Sequence, residues 1–90
     1  MIEQKAQFDH HMPLERYWVK YQLALRGIKY EAISRESETG VEHISKVMRG
    51  KLRSQRVETI IARFIGYPSW DEMMKTAVAE TAKSLKGGAA

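Results

Sequence analysis

The 90-residue chain is 43% hydrophobic and 29% charged, ordinary usage for a globular protein and enough for one small core. It has no cysteine, which excludes disulfides and thiolate metal sites, and its longest run without a charged side chain, Phe64 to Trp70, is far short of the ~20 apolar residues of a membrane span. The net charge of +4 favours polyanionic partners, and five bases with no acid (Lys46, Arg49, Lys51, Arg53, Arg56) crowd into one short segment while the rest of the chain sums to −1.

Residues 1–12 show weak periodicity and contain the pair His10-His11; a flexible lead-in is expected there. No apolar stretch follows Met1, so the sequence gives no sign of a secretory leader and a cytoplasmic protein is expected. Pro13 suits a first helical turn, and Leu14, Tyr17, Trp18, Tyr21 and Leu25 recur at helical spacing until Gly27, which predicts a first helix with these residues in its core face. A short second helix is predicted over Tyr30 to Ser37 with Ile33 buried. After the turn Glu38-Thr39-Gly40, a third helix has Val41, Ile44 and Val47 inward and stops at Gly50. Ser54 can cap a fourth helix whose stripe is Val57, Ile60, Ile61, Phe64 and Ile65, before Gly66 and Pro68. Ser69 and Glu72 form a capping box for a fifth helix, Trp70 to Leu85, with Trp70, Met73, Met74, Ala77, Val78 and Leu85 in its stripe. No alternating strand pattern appears. The expectation is an all-α bundle of about five helices over residues 13–85, followed by a flexible tail at 86–90.

Ile33, Ser37, Ile44 and Val47 fall at the offsets where a helix-turn-helix needs inward side chains, two on each helix around a short turn. From Gly27-Ile28-Lys29-Tyr30-Glu31 through Met48-Arg49-Gly50-Lys51 the chain resembles the lambda-repressor-like (Cro and repressor type) helix-turn-helix family. The stretch Val57 to Pro68 is most similar to Ner-like phage regulators. Within the resemblance, Ser34 stands where the family usually has alanine, Glu38 where it favours glycine and Thr39 where it favours an apolar residue.

The resemblance implies a regulator of double-stranded DNA, with repression as the simplest action and residues 40–49 as the recognition helix in the major groove. Val41, Glu42, Ser45, Lys46 and Arg49 would then face bases: the two cations can donate to guanine, Glu42 can accept from a cytosine amino group, and Val41 can pack on a thymine methyl. Tyr30, Lys51, Arg53 and Arg56 would contact phosphates, which position the protein without reading sequence. His43 lies at the edge of such a surface. The three histidines lack the companions of a closed metal site. Without a Gly-rich phosphate loop or a histidine beside a nucleophile, neither enzymatic activity nor a cofactor is expected. The long fifth helix is a candidate homodimer contact. A helix-turn-helix module that binds a protein, as an antitoxin or adaptor does, and a nonspecific nucleoid binder are the alternatives.

Overall fold

Val57, Ile61 and Ile65 lie four residues apart, so a helix through them presents one apolar edge that other helices must cover. In the computed structural model, which describes residues 12–89 and side chains through Ser84, that helix is the hub of an all-α fold. Its five helices are α1 (Leu14–Leu25), α2 (Tyr30–Ser37), α3 (Val41–Met48), α4 (Gln55–Ile65) and α5 (Trp70–Ala89). Helix α4 packs against each of the other four, while α1 lies along α5 and α2 along α3. The core is built from Val19, Leu23, Ile33, Ile44, Val47, Met48, Val57, Ile61 and Met73, all essentially sealed from solvent. Trp18 and Tyr67 meet edge to face, with ring centroids 6.2 Å apart, and tie α1 to the α4–α5 connection.

The inner face of α1 differs from the expected one. Leu14, Tyr21 and Leu25 are 58–60% exposed, and the helix instead buries Val19 and Leu23. The segment carries two apolar stripes, and the narrower aliphatic one fits the crowded interior while the aromatic one is left half outside. On α5, Trp70, Met73 and Ala77 are buried as expected, but Val78 is 54% exposed. The α5 backbone also stays helical through Gly87 and Gly88 to Ala89, where a flexible tail was expected; two glycines weaken a helix but neither removes a backbone donor as proline does. Met12, expected in the lead-in, is buried in the core. The rest of that lead-in, with His10 and His11, lies outside the described residues.

The helix ends show why the boundaries fall where they do. Ser54 Oγ accepts from Val57 N at 3.3 Å and Ser69 Oγ from Glu72 N at 3.1 Å, capping α4 and α5. Helix α3 exits through a left-handed residue, Gly50 at φ 77°, where Lys51 N donates to Lys46 O and Gly50 N to Val47 O, each at 3.0 Å. Gly27 and Gly66 close α1 and α4 by the same pattern. Helix α2 does so with Glu38, at φ 60° and ψ 36°, the one positive-φ residue among those described that is not glycine.

Hydroxyl groups surround that strained turn. Ser34 Oγ donates to Thr39 O, Thr39 N donates to Ser34 O at 3.2 Å, and Ser37 Oγ and Thr39 Oγ1 share a 2.7 Å hydrogen bond. Ser34, Glu38 and Thr39, singled out above only against the pattern that the sequence resembles, meet in one bonded turn.

Two stability outcomes follow from this packing. Ile61→Ala, at the fully buried centre of α4, should cost about 2–5 kcal/mol in chemical denaturation. Glu38→Gly should relieve the left-handed backbone and, after the greater entropy of an unfolded glycine, stabilise by about 0.5–1 kcal/mol, read as a rise of a few degrees in thermal midpoint.

Candidate nucleic-acid interface

Helix α3 is eight residues long and divides cleanly by environment. Ile44, Val47 and Met48 are buried against the core, which turns Val41, Glu42 and Lys46 outward. Val41 is 40% exposed despite its apolar side chain and the expectation of an inward position. Ser45, His43 and Arg49 lie half-buried on the flanks. On the partner helix Ile33 and Ser37 are buried, so the four inward positions expected for the helix pair all lie in the interior. Glu42 sits in the first turn of α3, where its carboxylate also complements the helix dipole.

Tyr30 opens α2 and packs partly against the core. It shares a surface recess with Val41, and Lys20 and Lys29 line the same recess. These two lysines were not singled out in the sequence because they lie far from the basic segment; Lys29 adjoins Tyr30 at the start of α2, and the fold brings Lys20 of α1 and Val41 of α3 to the same recess, which Glu31 also lines.

The five bases of residues 46–56 do not share one environment. Lys46 and Lys51 are exposed, with no ion-pair partner among the described residues. Arg56 Nη2 lies 3.6 Å from Glu38 Oε1, an exposed pair of little energetic weight. Arg53 is committed elsewhere: its Nε donates to Glu58 Oε2 at 2.6 Å and its Nη2 to Glu58 Oε1 at 3.1 Å. Those hydrogen bonds, followed by the charge of the carboxylate, raise the Arg53 pKa above the usual arginine value. Glu58 is buried, so this fork satisfies a carboxylate that would otherwise be costly inside the protein. Sequence reading missed it because the pair spans the N-cap of α4, outside the i, i+3 and i, i+4 spacings of a regular helix.

A second cation escaped sequence reading entirely. Arg16, in the first turns of α1, reaches Val47 O at 2.5 Å and Met48 O at 3.4 Å, and its guanidinium carbon stands 5.0 Å from the Trp70 ring centroid. Burial lowers its pKa from the usual value, while the carboxylates of Glu15 and Glu58 act in the opposite sense. Nothing in the local pattern around Arg16 marks it, since its partners are 31 and 32 residues away.

The described residues contain no cluster of three potential metal ligands, and none of their helices is long and apolar enough to cross a membrane. No protein-family model, curated protein or solved structure matches the chain.

The contrast between the two arginines is measurable. Arg53→Ala strands the buried Glu58 carboxylate and should lower the thermal midpoint by several degrees, whereas Arg56→Ala should fall within the scatter of surface substitutions.

Proposed function

We propose that this chain is a sequence-specific binder of double-stranded DNA that uses α2, its turn and α3 as a helix-turn-helix, with α3 in the major groove. The observation that carries the reading is the division of α3: its apolar side is fully occupied by the core, and its outward side offers Val41, Glu42 and Lys46 beside an exposed basic segment. Such a face can read base edges while flanking cations hold phosphates. Lys46, Arg49, Ser45, Glu42 and Val41 are the base-facing set. Lys51, Arg56 and Tyr30 serve phosphates, joined by Lys20 and Lys29 from the shared recess. Arg53 takes part only through the outer edge of a guanidinium already engaged with Glu58. Pairing of two copies on a symmetric site belongs to the same proposal, with exposed Val78 on α5 as a candidate contact. Repression by occluding a promoter is the simplest regulatory outcome for a reader of this size.

Selection from a random duplex library at about 150 mM salt tests the reading, because charge-only binding is weak there. One enriched motif is expected, with a log–log salt slope of about −3 to −4 for each copy bound. Changing Lys46, Arg49 and Lys51 together to alanine should abolish binding, and Glu42→Ala should relax preference at one base pair only. Binding without enrichment would identify a nonspecific nucleoid binder, and no binding would leave a protein partner as the ligand of α3.

A further inference from the structure

The C-terminal turn of α3 carries Lys46 and Arg49, and the carbonyls that end it are unusually well occupied. Val47 O already accepts from Gly50 N at 3.0 Å in the helix exit, and Arg16 Nη1 takes its second lone pair at 2.5 Å. The same nitrogen lies 3.4 Å from Met48 O, one of the carbonyls that a helix end leaves without an internal partner. Behind it the guanidinium faces the Trp70 ring at the start of α5. Three residues before Arg16, Pro13 lies against Gly50, where an added Cβ would stand 3.4 Å from Pro13 Cγ. The beginning of α1 is therefore fitted to the end of α3 by a shared charged donor and by shape at once.

We infer that Arg16 is a positioning residue for DNA recognition: it fixes the direction of the last turn of α3 against α1 and α5, and so sets where Lys46 and Arg49 meet the groove. The inference rests on the DNA-binding reading above. Arg16 is itself half-buried, facing the protein and not the solvent side of α3, so its contribution is to selectivity and not to counting phosphates. A lysine would keep the charge but not the extended group that places Nη1 on the helix end and its central carbon over the indole at once.

The test compares wild type, Arg16→Met, Arg16→Lys and Val19→Ala for affinity toward the duplex enriched by the wild-type chain and toward a scrambled duplex of equal length. Val19→Ala removes buried contacts from the same helix and controls for lost stability. Arg16→Met is expected to reduce the ratio of the two affinities about tenfold, the worth of one misplaced base contact, with an unchanged salt slope on the scrambled duplex. Arg16→Lys should fall between Met and wild type, and it preserves the test should Arg16→Met fail to fold. Val19→Ala should keep the wild-type ratio. Equal loss of selectivity in Val19→Ala and the Arg16 variants, or an unchanged ratio in the Arg16 variants, would overturn the inference alone. A wild-type chain that enriches no duplex would overturn the DNA reading and the inference with it.

Discussion

Burial of one edge of α4 is the constraint on which the rest of the fold depends. Val57, Ile61 and Ile65 require cover along their whole length, and with Ala62 between them they leave room for helices to approach from several sides. Each large aliphatic side chain removed from water contributes roughly 1.5–3 kcal/mol, a large share of the margin open to a chain of this size. Because Ile44, Val47 and Met48 are drawn into that interior, the opposite side of α3 has no choice but to face solvent. Its outward side chains are thus a by-product of core formation, and chemistry at that surface can vary without disturbing what holds the helix in place. The burial has one electrostatic cost, the Glu58 carboxylate on the same helix, and Arg53 offsets it from outside the core.

The helices between Tyr30 and Ile65 were legible in the sequence because their signals are local. Ser54 as a cap, Gly50 and Gly66 as exits and the four-residue apolar spacing of α4 each act within a turn or two of where they stand. Ser37 was also legible as an inward position although it is polar, and its hydroxyl bonds within the turn show how the interior tolerates it. The face of α1 was not legible, because periodicity records that a stripe is apolar and not which of two stripes finds a partner. Arg16 and the Arg53–Glu58 fork were invisible for a related reason: both join groups that only tertiary packing brings together. The same holds on the candidate surface, where the fold alone brings Lys20 and Val41 to the recess beside Lys29 and Tyr30.

The turn between α2 and α3 shows how side chains can support a backbone shape that their own residue types disfavour. Glutamate in a left-handed conformation is unfavourable, and glycine serves that role at the exits of α1, α3 and α4. Beside Glu38, however, Ser34 and Thr39 bind the two sides of the turn to each other, and Ser37 joins them. Alanine at the first position and an apolar residue at the last would supply none of these bonds. Ser34, Glu38 and Thr39 therefore make sense as a set, in which side-chain hydrogen bonds hold a backbone shape that a glycine would adopt by itself.

The contact between Arg16 and the end of α3 also shows how local and long-range contacts divide the molecule. Helices α2, α3 and α4 follow one another closely, so the loops that must close to pack them are short. Helix α1 instead meets its main partner, α5, from the far end of the chain, and it carries Arg16 with it. Packing of the central three helices thus closes shorter loops than the contact that brings the guanidinium to Val47 and Met48, 31 and 32 residues away. An opening that detached α1 from α5 would withdraw Arg16 from the final turn of α3 while leaving the contacts among α2, α3 and α4 in place. The turn that carries Lys46 and Arg49 is thus held by two kinds of contact, burial among its neighbours in sequence and one bond from a helix more than thirty residues away.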